Sequence, residues 1–322
     1  MTDAPIFTIR RSQRINTVLG ITLGDPGGIG PEVILKALTK ISQPLTIVLF
    51  GSESLFAPFQ TCTQHTITTV NCCELSHPIN RHDHPINGSA SYTYLEHAVS
   101  YAKSGKIQAL ITGPISKTAW QMADITHTGH TTALQSLSKS GPVSMAFYTP
   151  TLKTILTTIH IPLMHVASQL TPKKLQQTID HGVLFCQKLG ITSPKIAVAG
   201  LNPHAGEGGL FGNEETRLTD VIKQYDDTIS GPYPPDTLYY RASQGDFDLV
   251  VSLYHDQGLI PIKLIGFHDA VNVTIGLPFI RTSPDHGTAF DIAGQGTANE
   301  SSTKAAILLA TQLTTQEQLN VT

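Results

Sequence analysis

The chain has 322 residues, of which 40% are hydrophobic and only 14% charged, with a formal net charge of -3. That length holds one large or two medium domains around a sizeable core. A charged share well below the usual level of about a quarter excludes a disordered or coiled-coil protein, and the near-neutral balance leaves no footprint for nucleic acid or an anionic membrane.

Residues 1–16 carry Arg10 and Arg11 with no apolar stretch after them. They read as a lead-in to the first strand, neither a secretory signal nor a membrane span. Thr17–Leu23 is a buried strand by composition, and Pro31–Leu38 opens a helix, proline suiting the first helical position. Leu45–Phe50 is a second strand and Ile67–Val70 a short third. Cys72–Asn87, rich in Pro, His and Asn, reads as an exposed loop. Ser91–Lys103 has helical spacing with Gly105 as its stop, and Ala109–Ile111 runs into the turn Thr112-Gly113-Pro114.

Apolar runs recur at Ser144–Tyr148, Thr154–Ile159, Ile196–Leu201, Leu249–Tyr254 and Ala270–Ile275, and helical segments at Pro172–Leu189, Glu214–Lys223 and Ser301–Leu313. Short β-rich runs separated by helices predict an α/β protein with largely parallel strands. Seams are expected within 124–140 and near 278–285. The four cysteines, Cys62, Cys72, Cys73 and Cys186, form no C-x-x-C pair. They fit a reducing, cytoplasmic compartment rather than a disulfide scaffold.

The one unusual count is histidine, at 14. His160, His204 and His255 each follow the end of a strand-like run. Strand ends of a parallel sheet lie on one edge, where ligands bind. Three imidazoles from that edge can converge on one divalent ion and leave positions open for substrate. A single histidine in such a place is usually a hydrogen-bonded loop residue; the repetition is what points to a site. Asp256, next to His255, reads either as a metal neighbour or proton carrier or as a helix cap.

Two glycine loops compete for a cofactor. Gly24-Asp25-Pro26-Gly27-Gly28-Ile29-Gly30 follows a strand and opens a helix, but no G-x-G-x-x-G fits it. Asp25 also sets a carboxylate where a pyrophosphate wants bare N–H groups. Asp285–Gly294 is the better candidate, with a permissive backbone and polar side chains at His286, Thr288 and Asp291. Lys263 and Arg281 lie near these loops, where an anionic substrate group needs a cation.

Blocks in order along almost the whole chain resemble the 4-hydroxythreonine-4-phosphate dehydrogenase family. They are Ile21–Glu32, Ile111–Lys117, Gly129-His130-Thr131, Leu201–Glu215, Tyr254–Lys263 and Asn272–Gly294. The segment His286–Gly294 also resembles the cofactor loop of isocitrate and isopropylmalate dehydrogenases. The resemblance implies two α/β/α domains with the active site in the cleft between them, residues 1–128 plus 279–322 forming one and 129–278 the other. It implies a homodimer whose site is built across the interface, and NAD or NADP along His286, Gly287, Thr288, Asp291 and Gly294. It also implies one divalent ion (zinc, magnesium, cobalt or manganese) on His160, His204 and His255, one of them from the partner subunit. Substrate contacts fall on His130, Thr131, Lys263, Asn272 and Arg281, and Lys263, Asp256 and Lys117 are the acid–base candidates.

The implied substrate is a small phosphorylated hydroxy-amino acid, 4-phosphohydroxy-L-threonine, oxidised on the route to pyridoxine 5'-phosphate. One departure stands out: Thr132 occupies a position where the family commonly has glutamate. The alternatives are a sister enzyme acting on phosphorylated threonate or erythronate, a metal-dependent hydrolase and a phosphate acyltransferase. The last two predict indifference to nicotinamide.

Overall fold

The computed structural model describes residues 17–75 and 79–321. The reading of 1–16 as a lead-in therefore lies outside the described residues. In chain order the first half gives β1 (Val18–Thr22), α1 (Gly30–Thr39), β2 (Thr46–Gly51), β3 (Thr66–Asn71), α2 (Pro85–Lys103), β4 (Ala109–Thr112), α3 (Lys117–Met122) and α4 (His130–Ser138). Next come β5 (Ser144–Tyr148), β6 (Lys153–Leu156), α5 (Val166–Gln169), α6 (Pro172–Lys188), β7 (Ile196–Ala199) and α7 (Glu214–Ile222). The chain ends with β8 (Ile229–Tyr233), α8 (Pro235–Ser243), β9 (Leu249–Ser252), α9 (His255–Gly266), β10 (Val271–Ile275), β11 (Ile280–Pro284) and α10 (Ser301–Val321).

The expected α/β class holds, with strands and helices packed around a continuous apolar core. All described strands join one sheet, ordered β3-β2-β1-β4-β11-β10-β5-β6-β9-β7-β8. Both flanks are parallel, as the alternating pattern requires. The middle corrects the expectation of a largely parallel array. β11 pairs β10, β10 pairs β5 and β5 pairs β6, all antiparallel. Strand direction therefore reverses across this seam, and β6, β9, β7 and β8 run opposite to β1–β4.

Local chemistry explains the elements that place the site. α1 starts on Pro31, which needs no N–H there, and buries Val33, Ile34, Ala37 and Leu38 at helical spacing. α6 is capped by Thr171, whose hydroxyl accepts from Lys174 N, and buries Leu175, Ile179, Gly182, Phe185 and Cys186 along one stripe.

The reading of Cys72–Asn87 as an exposed loop is corrected at its far end. α2 begins at Pro85, capped by the His84 ring, and Asn87 is 2% exposed. The segment just before it is tied down by two hydrogen bonds, with Asn80 O accepting from Asn87 Nδ2 and Asp83 accepting from the Ser116 hydroxyl.

Candidate active site

A cavity of about 570 Å³ opens at the antiparallel seam. It gathers the ends of β4 and β11, Asn272 of β10, Met145 and Phe147 of β5, and the residues just after β6 and β9. Of the residues singled out in the sequence, Lys117, His130, Thr131, His160, His255, Asp256, Lys263, Asn272, Arg281, His286 and Gly287 line it. His204, Thr288, Asp291 and Gly294 do not. Thr112, which belongs to no chemical pattern legible along the chain, lines it too, and so does Asp285, at the start of the loop expected to carry the cofactor.

One wall is built to hold an anion. Arg281 is 2% exposed. Its Nη2 donates to Thr112 Oγ1 at 2.7 Å and its Nη1 to Thr274 Oγ1 at 3.0 Å and Asn272 Oδ1 at 3.3 Å. These acceptors are all neutral, and Nε is buried with no partner among the described residues. Burial pushes the guanidinium down to about 9. A buried cation without a counter-charge is costly, and an anion placed in the cavity would offset that cost.

His130 faces the same space with a buried, unpartnered Nε2. Burial, then the charges of Arg281 and Lys117, hold its ring well below the ordinary histidine range. It is therefore neutral, free to accept from a hydroxyl or donate to an oxyanion. His130 also opens α4, whose N-terminus has no side-chain cap and so turns free N–H groups on the cavity side. Thr132, also on the wall, donates its hydroxyl to Gly129 O at 3.1 Å.

The opposite wall carries the imidazoles. The rings of His160 and His255 lie 5.6 Å apart. Burial, then Lys117 and His255, keep His160 below its ordinary value, which favours the neutral, ligating form. Asp256 sits 2.7 Å from His255 Nδ1. A carboxylate on Nδ1 fixes the tautomer and leaves the Nε2 lone pair for a cation.

The third histidine is elsewhere. β6, β9 and β7 are neighbours in the sheet, so the shared edge read from the sequence is real. His204, however, sits exposed on the turn Pro203–Gly209 with its ring against Phe211 at 6.1 Å. Residues 204–208 all have positive φ, including the non-glycines His204 (52°), Ala205 (51°) and Glu207 (43°), a conformation costing roughly 1–2 kcal/mol at each. Buried Glu215 pins the start of this turn, accepting from Leu201 N at 3.0 Å, Asn202 N at 2.7 Å and Asn202 Nδ2 at 2.9 Å. Among the described residues no three His, Cys, Asp or Glu side chains of one chain meet around a single point. His160 and His255 are the two imidazoles of this wall that stand close enough to contribute to one ion.

Lys263 bridges this site to the loop expected to carry the cofactor. Its Nζ contacts Asp285 Oδ2 at 2.5 Å and donates to Asp285 O at 2.8 Å. His286 next to it has a buried Nε2 without a partner, and burial depresses its ring. The loop beyond is fastened to α1: Glu32 accepts from Gly294 N at 3.1 Å and Ala298 N at 3.0 Å, and Lys36 Nζ donates to Gly296 O at 2.7 Å and Ala298 O at 2.8 Å.

The first glycine loop serves the second rather than a phosphate. Ile29 N donates to Thr288 O at 2.8 Å, and a Cβ on Gly28 would meet that oxygen at 2.9 Å. Asp25 accepts from Gly27 N at 2.9 Å and is fully buried, its Oδ2 unpartnered. Burial, against the backbone bond and with Asp83 nearby, pushes its carboxyl up to about 6 from 3.8. A carboxyl raised on folding destabilises the fold increasingly as pH climbs from the unfolded value through the folded one. Asp25→Asn, which keeps the acceptor, should therefore match the parent below about pH 4 and exceed it by up to about 3 kcal/mol above about pH 6. Urea unfolding at pH 4 and pH 7.5 measures both; an equal gap at the two values refutes it.

The family model described as pyridoxal phosphate biosynthetic protein PdxA matches residues 29–310. A 4-hydroxythreonine-4-phosphate dehydrogenase of Desulforapulum autotrophicum is 42% identical, over 91% of this chain and 94% of that protein. A D-threonate 4-phosphate dehydrogenase of Pectobacterium atrosepticum is 38% identical, over 93% and 100%. The solved 4-hydroxythreonine-4-phosphate dehydrogenase of Klebsiella pneumoniae superposes with a TM-score of 0.82 at 34% identity, over 92% of this chain and 99% of that one.

Proposed function

The chain belongs to the PdxA family of pyridoxal phosphate biosynthetic proteins, and we propose from that premise that it oxidises 4-phosphohydroxy-L-threonine with NAD or NADP. The product is a β-keto acid that loses carbon dioxide to give 3-amino-2-oxopropyl phosphate, on the route to pyridoxine 5'-phosphate. The observation that carries this reading is the buried, uncompensated Arg281 beside unpartnered His130. Such a wall suits the doubly charged phosphate of a small substrate far better than a neutral sugar or peptide.

In this reading Arg281, Asn272, Lys263, His130 and Thr131 hold the phosphate and carboxylate. Lys117 adds positive charge, and Lys117, Asp256 and Lys263 are the acid–base candidates for the alcohol's proton. The nicotinamide cofactor lies along His286, Gly287, Thr288, Asp291 and Gly294. A divalent ion (zinc, magnesium, cobalt or manganese) held by His160, His255 and His204 of the partner subunit would polarise the substrate alcohol as a Lewis acid.

The homodimer belongs to the same proposal. Ile260 and Leu264 (85% exposed) of α9, with Phe267 just after it and Met164 and Leu210, leave large apolar side chains uncovered close in sequence to the histidines. So does the two-domain division at 1–128 with 279–322 and 129–278, which follows the reversal of strand direction. Among the described residues no helix is long and apolar enough to cross a membrane.

Phosphorylated threonate is the second reading, and Thr132 favours it. A neutral hydroxyl in place of a carboxylate removes a partner that an amino group on the substrate could use. Relatives of both names match at similar identity. The test is reduced-nicotinamide formation with each substrate, in parallel, with and without a chelator. Turnover of neither refutes the proposal, and a clear preference for threonate 4-phosphate selects the second reading.

A further inference from the structure

Trp120 is the only tryptophan of the chain, and it is fully buried on α3, one turn from Lys117. Its ring meets that of His130 edge-on at 5.8 Å. The indole N–H donates to Ser91 Oγ at 2.9 Å, and that hydroxyl in turn donates to Gly88 O at 2.9 Å. Tyr92 packs against the indole at 5.4 Å and 90°, and His127 stacks on Tyr92 at 5.9 Å. α2 and α3 touch backbone to backbone here, because a Cβ on Gly88 would lie 2.1 Å from Ala119 O and 3.0 Å from Trp120 N. The indole is thus fixed by a hydrogen bond, a ring and a helix contact. His130, at the cavity end of the chain of rings, has a buried Nε2 with no protein partner among the described residues.

We propose that Trp120, oriented by Ser91 and Tyr92, is the positioning residue that fixes the His130 imidazole in the anion cavity. This rests on the reading of that cavity as the place of the substrate phosphate. An edge-on aromatic contact restricts the ring without using either nitrogen, so His130 keeps its hydrogen-bonding capacity for the ligand. Trp120 touches no substrate itself; its effect passes through His130. Its emission should therefore respond when an anion engages His130.

The test uses the full-length protein in three variants. Trp120→Leu removes the ring, and Ser91→Ala removes only the bond that orients it. Trp120→Phe restores a ring edge without the N–H. KM for the phosphorylated substrate should rise about tenfold in Trp120→Leu and two- to threefold in Ser91→Ala, with a partial return in Trp120→Phe. kcat and KM for the nicotinamide should stay within about twofold.

A generally loosened fold would move all three constants together, which refutes the proposal, as does an unchanged substrate KM in both Trp120→Leu and Ser91→Ala. Independently, inorganic phosphate should change the tryptophan emission of the parent saturably, and of Ser91→Ala with weaker apparent affinity. Equal titrations in the parent and Ser91→Ala overturn the positioning role alone. No response to phosphate and no turnover in the parent overturn the phosphate reading, and this inference with it.

Discussion

Arg281→Met is expected to lower kcat/KM by two to three orders of magnitude while leaving the protein at least as resistant to heat. The catalytic loss follows from removing a charged fork buried at the end of the cavity, where a charge-assisted contact to an anion is worth about 3–4 kcal/mol. The unchanged or improved stability follows from the same burial. The guanidinium has only hydroxyl and amide acceptors, so the empty protein carries a desolvated charge that these bonds only partly offset. Methionine fills similar volume and asks for no partner. Inorganic phosphate should raise the thermal midpoint of the parent by binding the folded state and leave that of the variant unmoved. A variant that melts several degrees lower and also loses activity would mean that Arg281 is a structural strut.

The second large effect concerns the histidines. His160→Ala, His204→Ala and His255→Ala are each expected to reduce turnover at least about hundredfold. A chelator should do the same to the parent, reversibly on adding a divalent ion. The sharper measurement mixes two inactive proteins. His160 and His255 share one chain's cavity, whereas His204 does not line it and sits on the exposed turn. If His204 completes the site of a partner subunit, His204→Ala and His255→Ala subunits re-associated in equal amounts recover about a quarter of parental activity. Half the pairs are then mixed, and each mixed pair has one intact site. His160→Ala with His255→Ala should recover nothing, because both lesions fall on the same side of every site. Equal recovery in the two mixtures, or none in either, removes the partner-supplied ligand.

Much of the architecture could be read before the structure. β1, β2, β4, β5 and β10 are short apolar runs bounded by turns, and α1 and α6 have clear buried stripes. The missed elements hide their pattern for separate local reasons. β11 reads Ile-Arg-Thr-Ser-Pro because it lines the cavity, so its buried side chains are polar. β8 carries Gly231 and Pro232 and resembles a turn. α9 contains Gly258 and Pro261, and its apolar residues point outward as well as in. Without a polar face it does not show the periodicity of an ordinary surface helix.

The antiparallel seam did leave a signal that composition obscures. Four residues separate Tyr148 from Lys153, and four separate Ile275 from Ile280. A parallel crossover needs a dozen or more, so those two links can only be hairpins. The site was legible in part for a different reason. Histidines after three strands mark an edge, and β6, β9 and β7 do lie side by side. Where a loop beyond that edge places its side chains depends on backbone conformation, which spacing does not show, and the left-handed run at 204–208 carries His204 without bringing it to the cavity lining. The grip of Asp285 on Lys263 could not be found this way, since it crosses between elements with no fixed spacing.

The place of β11 between β4 and β10 has a consequence for biosynthesis. Until the ribosome has passed residue 284, β4 presents an open row of amide and carbonyl groups with nothing to pair them, and the first-made half of the sheet is a template for other chains. Completion of that half therefore waits on a segment translated long after β4, a long-range closure of the kind that slows folding and exposes intermediates to aggregation. Truncation before β11 would leave the early strands unsealed and sticky rather than merely inactive.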